Sequence, residues 1–319
     1  MIKKKILRIL TFFFLFVKIS PLFSKVINFK LFPYIGFEYS SFEEAYYYDN
    51  SLDYSDNLCS LLEWKQNPSF IVGLKTDINL KNFSWFIDFS TKFPMKCGYM
   101  YDSDYWENGI KFNYSINENY LNGAFSIDSG FSYFIKIHKF LITPSIFGSY
   151  SYIFFSAKNG YGWYAGSADS SDGQVHSWDS SYAHYYPDGK YHLAGVDYKN
   201  QTFYFMFGLD FSRIFFEKWQ PTLGLYISPF TYVYVMDHHL GKTSNFYSED
   251  YIYNYFKNYK FIFTNTFFVC KYFSLVSVLD GNLQLLTKGK NYENKALNSQ
   301  MGGESYKALR FEIGMKFSF

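Results

Sequence analysis

The segment LRFEIGMKFSF, residues 309–319, alternates at every position between an apolar side chain and a polar or small one. The apolar side chains occupy the odd positions, namely Leu309, Phe311, Ile313, Met315, Phe317 and Phe319. Successive side chains of an extended chain point to opposite faces, so this period of two predicts a strand with one apolar and one polar face. Such a strand suits a wall between apolar surroundings and a polar interior.

A similar alternation appears earlier in the chain, in a predicted hairpin. Residues 70–80 and 83–93 both alternate, and Lys81-Asn82 forms a tight turn between them. On the return strand the odd positions are expected to face lipid and the even positions a lumen. Further strands are predicted near residues 27–39, 119–133, 140–154, 201–213, 220–235, 251–270, 272–286 and 304–319. The total is ten, an even number, as bacterial barrels require.

The composition supports a β-rich membrane protein. Aromatic residues make up 24% of the chain, with 39 Phe and 33 Tyr, and such side chains favour strands. Beyond residue 24 no apolar run approaches the roughly 18 residues of a spanning helix, so a membrane-spanning chain of this kind has to be a barrel. We therefore predict an all-β fold, a ten-stranded antiparallel transmembrane β-barrel with long extracellular loops. The net charge of +2 argues against nucleic acid as a partner.

The topology of a barrel predicts on which side of the membrane the long connections lie. Short turns are expected on the periplasmic side near residues 81, 136, 216 and 271. Long polar loops are expected on the extracellular side at residues 40–66, 97–118, 155–199, 236–250 and 287–303. Any chemistry in these loops would act on extracellular material.

The first residues predict export. A cationic cluster at residues 3–8 precedes an apolar stretch from Ile9 to Val17, and small polar residues follow as far as Ser24. This pattern is typical of a signal peptide, with an uncleaved N-terminal anchor as the alternative. The expected organisation is a signal peptide at residues 1–24 and a barrel at residues 25–319. The last strand resembles the C-terminal signal by which outer-membrane barrels meet their assembly machinery, so we expect an outer-membrane location in contact with its lipid.

Two short clusters at the predicted outer rim could support chemistry. Asp102 and Asp104 are two residues apart, so an extended chain points both carboxylates the same way. Asp237 and His239 share a face in the same manner. The apolar residues on the strand near 220–235 are mainly odd, however, so an uninterrupted strand would turn Asp237 and His239 towards lipid. A bulge, or the end of regular pairing above the membrane, must intervene if they are to face the lumen.

Together these four side chains would suit a hydrolase that activates water. His239 would act as the general base, oriented by Asp237, while Asp102 and Asp104 would hold a water molecule from the other side. No serine or cysteine nucleophile would be needed. Acidic loops on barrels are more often simply solvated rims, and that interpretation stays open for each cluster taken alone.

Several segments resemble, in order, the omptin family of outer-membrane endopeptidases. The matching segments are Leu62-Glu63-Trp64-Lys65, Met100-Tyr101-Asp102-Ser103-Asp104, Phe155-Ser156-Ala157-Lys158-Asn159-Gly160, Pro187-Asp188-Gly189-Lys190, Ala194-Gly195-Val196-Asp197-Tyr198-Lys199 and Asp237-His238-His239. The resemblance implies a ten-stranded barrel whose active site lies in an extracellular cleft and cleaves extracellular peptides or proteins. It also implies that Asp237 and His239 are the activating dyad, and Asp102 and Asp104 the carboxylates across the cleft.

The resemblance extends to the substrate pocket, where this sequence departs from the family. Omptins typically cleave near basic residues by means of acidic side chains in the pocket, and Glu44 is the best match to one of them. The companion acid, two residues before the dyad aspartate, is Val235 here. The resemblance further implies lipopolysaccharide as an activating lipid, although no cofactor is required for the chemistry itself.

Two alternatives to a protease remain. One is a non-enzymatic barrel, an adhesin or a narrow channel, in which the acids at the rim are incidental. The other is an outer-membrane phospholipase, which would need a Ser–His pair such as Ser103 and His239, but no motif around these residues supports it. The joint presence of four site residues favours the protease.

The remaining histidines and the cysteines carry weaker signals. His176, His184 and His192 are spaced by eight residues, which fits no compact zinc site, so no metal is expected. Three cysteines, an odd number, leave at least one unpaired in an oxidising compartment. A bridge between Cys59 and Cys97 remains open at this level.

Overall fold

A computed structural model describes residues 27–48, 57–189, 195–240 and 246–319, and this part of the chain contains only strands, turns and irregular segments. The predicted signal peptide lies outside these residues. The strands are β1 (Ile27–Tyr47), β2 (Leu58–Leu80), β3 (Phe83–Lys92), β4 (Met95–Tyr105), β5 (Lys111–Tyr133), β6 (Ile135–Ile137), β7 (Phe140–Tyr164), β8 (His184–Tyr186), β9 (Val196–Arg213), β10 (Trp219–His239), β11 (Phe246–Asn254), β12 (Asn258–Cys270), β13 (Phe273–Glu293) and β14 (Ala296–Ser318). In the described ranges no helix is long and apolar enough to cross a membrane.

The strands close into an antiparallel ring. β1 pairs with β2 on one side and with β14 on the other, which closes the barrel. β3 and β4 are two halves of one wall strand, interrupted at Phe93-Pro94, where proline cannot donate a ladder hydrogen bond. β11 and β12 form another such pair, both lying between β10 and β13. With the short β6 and β8 set aside, the wall has ten strands, which confirms the predicted fold class.

The strands extend further from the membrane than the sequence predicted. β2 begins at Leu58 rather than near residue 70, and β5 begins at Lys111 rather than near 119. The predicted loop at 287–303 is instead a hairpin, in which only Asn294 and Lys295 join β13 to β14, both with positive φ. Above the lipid the outward positions become polar as well, as at Glu43 and Lys307, so the alternation that marks a lipid-facing strand is lost although the ladder continues.

The outer face of the wall shows where the apolar band ends. Ile35, Phe37 and Tyr39 on β1 are each about half exposed and point outwards. Four residues beyond Tyr39 on the same outer face is Glu43, which pairs with Lys307 at 3.0 Å. Charged side chains would be costly in lipid, so the segments of β1 and β14 from Glu43 and Lys307 outwards lie beyond the membrane.

Side chains fill the lumen near its middle, and a cavity of about 520 Å³ lies below them. Glu38 lies between Lys92 at 2.5 Å and Arg310 at 3.1 Å, and Lys260 lies 3.0 Å from Asp280. Above these ion pairs is a layer of packed aromatic rings, formed by Phe42, Trp64, Phe155, Tyr198 and Tyr306. This aromatic layer closes the lumen towards the outer rim and supports whatever lies above it.

Candidate active site

A bulge on β10 turns the dyad into the barrel. In the lower part of β10, Leu225 and Ile227 are exposed on the outer face while Gly224 is buried inside. The register with β9 then shifts between Ile227 and Phe230. Beyond the shift the odd positions are the inward ones, so Asp237 and His239 lie on the inner face. The predicted bulge is confirmed.

Asp237 and His239 are in direct contact. Oδ2 of Asp237 lies 2.7 Å from Nε2 of His239. The Asp237 side chain is fully buried, whereas that of His239 is 22% exposed. With Nε2 directed at the carboxylate, Nδ1 is the ring nitrogen that can accept a proton. The pair therefore has the arrangement of a base and its orienting acid.

The neighbouring strand fixes the ring of His239. Phe246 of β11 lies directly opposite His239 in the ladder, and the two ring centroids are 5.3 Å apart. The adjacent His238 points to the other face, where it stacks on Tyr247 at 3.9 Å. Two consecutive histidines thus have different surroundings, and only His239 lines the cleft.

Asp102 and Asp104 lie on the inner face of β4. Both residues have even numbers, and the alternation along the strand therefore predicted this face. The wall strand that leads to them is less regular than the alternation assumes. The wall strand breaks between β3 and β4, and a second shift follows between Lys96 and Gly98, so the two irregularities cancel. Asp104 accepts a hydrogen bond from Nδ2 of Asn113 at 3.0 Å.

The two clusters face one cleft. Asp102, Asp104 and His239 all line a cavity of about 390 Å³ at the outer rim. β4 and β10 are four wall strands apart in a ring of ten, so the acids and the imidazole approach the cleft from nearly opposite walls. Leu62 and Met100, both buried, form part of its floor. The structure thus brings the predicted catalytic residues together at a site that water can enter.

Glu44, the predicted substrate-binding residue, lies beneath the cleft rather than on its surface. Its side chain is fully buried. Oε1 accepts a hydrogen bond from the hydroxyl of Tyr46 at 2.7 Å, and Tyr46 itself lines the cleft. Burial, and then the negative charges of Asp237 and Asp250, raise the pKa of Glu44 well above its ordinary value. Glu44 is therefore close to the dyad, with Tyr46 above it.

Two further buried carboxylates belong to this neighbourhood, and the sequence did not predict them. Glu304 of β14 lies directly opposite Glu44, and Asp250 of β11 lies directly opposite Val235. Asp250 and Glu304 are at most 1% exposed. Burial raises the pKa of Asp250 to about 7, and the pKa of Glu304 also lies well above its ordinary value, mainly because of burial. Several carboxyl groups are thus concentrated at the rim, and burial favours their uncharged form.

A sequence signal for Asp250 existed. Residues 247–253 alternate between Tyr or Glu at the odd positions and the smaller Ser248, Asp250 and Ile252 at the even ones, which share one face. The polar character of residues 236–250 predicts a loop, which masks this face. Val235 itself is buried in the apolar cluster around Trp64.

The described histidines other than His239 lie outside the cleft, whereas Cys59 is part of its lining. His176 pairs with Asp172 at 2.9 Å in the exposed segment between β7 and β8, and His192 lies outside the described residues. Across the described ranges, no group of three or more His, Cys, Asp or Glu side chains is arranged to hold a metal. Cys59 and Cys97 are not bridged.

Comparison with solved structures bears on the fold. The outer membrane protease OmpT from Escherichia coli superposes with a TM-score of 0.77 at 17% sequence identity, over 92% of this chain and 97% of that chain. The chain has the fold of OmpT. The omptin resemblance predicted from the motifs therefore agrees with the fold. No protein-family profile and no curated protein sequence matches the chain.

Other membrane barrels superpose much less well than OmpT. The toluene transporter TodX from Pseudomonas putida has a TM-score of 0.30 at 9% identity, over 92% of this chain and 90% of that chain. The translocator domain of the autotransporter NalP from Neisseria meningitidis has a TM-score of 0.31 at 7% identity, over 93% and 89%.

Proposed function

We propose that this protein is an outer-membrane endopeptidase that cleaves extracellular peptides or proteins. The observation that carries the proposal is the contact between Asp237 and His239 across one cleft from Asp102 and Asp104. A base held by a buried acid, opposite a second pair of acids, is an arrangement that activates water. The fold shared with OmpT is consistent with this chemistry.

In the proposed reaction, a water molecule lies between the two walls of the cleft. Asp102 and Asp104 accept a hydrogen bond from one of its protons, and Nδ1 of His239 takes the other as the oxygen adds to the peptide carbonyl carbon. Asp237 stabilises the imidazolium that forms, without becoming protonated itself. His239 then gives its proton to the leaving amine, and the C–N bond breaks. The products are a carboxylic acid, which loses the second water proton to solvent to become a carboxylate, and an amine, with no covalent enzyme intermediate.

The lengths of most connections, with the exception of the short turn at Asn294 and Lys295, support the proposed membrane sidedness. The turns at residues 81–82 and 271–272 are short, and we place them in the periplasm. The cleft is at the opposite end of the barrel, beyond the apolar band, and therefore faces the cell exterior. Lipopolysaccharide, as a component of that leaflet, is proposed as an activating lipid rather than as a participant in bond cleavage.

The proposal is tested by incubating the refolded barrel with a mixture of unstructured peptides, with and without lipopolysaccharide. Mass spectrometry would identify new termini, and we expect internal cleavage, preferentially next to basic residues. Circular dichroism would establish that the protein used is folded. Intact peptides from a folded barrel under both conditions would refute the protease and favour the adhesin or narrow channel.

A further inference from the structure

We propose that Asp250 supplies the carboxylate that Val235 lacks, so that Glu44, Asp250 and Glu304 together form the pocket for a basic substrate side chain. This inference rests on the proposed protease function. It assigns the preference for a basic side chain to an acid on β11, whereas the omptin resemblance indicated an acid on β10. The supporting observations are the ladder register, a set of unpaired carboxylate oxygens and the space that a glycine provides.

The ladder register brings Asp250 to the position of the missing acid. Val235 on β10 and Asp250 on β11 are direct partners, and both are buried on the inner face. The Cβ atoms of direct partners are about 4.5–5.5 Å apart. A carboxylate side chain together with a cation that it binds extends further than this separation. A charge on Asp250 therefore acts on nearly the same volume as a charge at position 235 would.

The carboxylates of this group have unused hydrogen-bonding capacity. Oε2 of Glu44, Oδ2 of Asp250 and Oε2 of Glu304 are each buried without a hydrogen-bond partner. Their other oxygens are all bonded, to Tyr46, Asn291 and Tyr198 respectively. A buried carboxylate oxygen without a donor is costly, and a guanidinium or ammonium group supplies several donors together with the opposite charge.

Asp250 is held in place by its neighbours. Nδ2 of Asn291 donates to Oδ1 of Asp250 at 2.8 Å and contacts Oγ of Ser248 at 2.6 Å. On the other side Asp250 lies over Gly302, where a methyl group would be only 2.0 Å from Oδ1. Asn291 is thus a positioning residue, and Gly302 provides the room that the carboxylate occupies.

Tyr46 connects this pocket with the cleft. It lies directly opposite Gly302 in the ladder and lines the cleft. Its hydroxyl donates to Glu44 at 2.7 Å and lies 3.0 Å from Oγ of Ser248, which covers the acids from above. A long basic side chain would reach the carboxylates by displacing this hydroxyl, while the backbone next to it stays in the cleft beside His239.

The test compares two peptides that differ only in charge at the basic position, one with arginine and one with its neutral isostere citrulline. For the wild type, kcat/KM for the arginine peptide should exceed that for the citrulline peptide by about a hundredfold or more. In Asp250→Asn, which keeps the shape and removes the charge, this ratio should fall about tenfold or further. Glu249→Gln is the matched control, because Glu249 is adjacent but points outwards to Tyr234; its ratio should equal that of the wild type.

A transfer of the charge adds a second, independent result. Val235→Asp combined with Asp250→Ser moves the acid back across the ladder, and the preference for arginine should return. Wild-type cleavage with an unchanged ratio in Asp250→Asn would overturn the role of Asp250 and leave the protease intact. If the folded wild type cleaves neither peptide, the proposed function fails and this inference fails with it.

Discussion

Val235 and Asp250 face each other directly across the ladder between β10 and β11, both fully inside the barrel. One is an apolar residue where a charge was expected, and the other is a charge where the sequence indicated only a loop. The pairing of these two strands thus places an acid next to the dyad, and a motif on one strand alone does not reveal it.

Gly302 should be required for the position of Asp250. In Gly302→Ala the new methyl group would collide with the carboxylate, so Asp250 must move and the ratio of kcat/KM for arginine over citrulline should fall. Gly123→Ala is the control, since nothing lies within 4 Å of a methyl group there. Equal ratios in the two alanine variants would show that Asp250 needs no such space.

The preference for arginine should increase with pH. Burial raises the pKa of Asp250 to about 7, so its carboxylate gains charge as the pH rises from 6 to 8. The pH dependence of the dyad affects both peptides alike and cancels in the ratio of their kcat/KM values. The ratio should rise over this range in the wild type and rise less in Asp250→Asn, where only Glu44 and Glu304 remain to gain charge. A ratio that is constant in the wild type would contradict the assignment.

The same carboxyl group should make the stability of the barrel depend on pH. Its pKa is higher in the folded state than the roughly 3.9 of an unfolded aspartate. Its contribution to stability is therefore complete below about pH 4 and is lost as the pH rises through about 7. Thermal unfolding should show Asp250→Asn gaining stability relative to the wild type between pH 5 and pH 9. Glu249→Gln should show no such gain, and a parallel gain there would point to a general charge effect.

The acid pair on β4 should matter for turnover. Replacing both aspartates, in Asp102→Asn and Asp104→Asn combined, removes the negative charge that holds the proposed water, and kcat should fall by about a hundredfold or more. Glu63→Gln on the neighbouring β2 is the control, because Glu63 pairs with Lys65 on the outer face. Rates that remain at the wild-type level in the double variant would remove these aspartates from the mechanism.

Much of the fold was predictable because lipid imposes an alternation on the wall. The strands that cross the apolar band, such as the one ending at Phe319, show it clearly, and ten of them were identified. Beyond the band the constraint ends, and segments such as 287–303 read as loops although their backbones stay paired. The length of the barrel above the membrane was therefore underestimated.

The candidate site was predictable where it depended on spacing along one strand. Asp102 with Asp104, and Asp237 with His239, each occupy positions two apart, and the need for a bulge on β10 followed from parity. Asp250 and Glu304 depend on which strands are neighbours and in what register. That information is distributed over distant parts of the chain, so inspection of one segment does not provide it.

The central claim is that His239 is the base of a protease, and the adjacent histidines allow a matched test of it. The measurement is kcat/KM on a cleaved peptide for His239→Ala and His238→Ala, both shown to be folded. We expect His239→Ala to lose a factor of about a hundred or more and His238→Ala, whose ring stacks on Tyr247 on the outer face, to retain wild-type activity. Cleavage by His239→Ala at the wild-type rate would contradict the account.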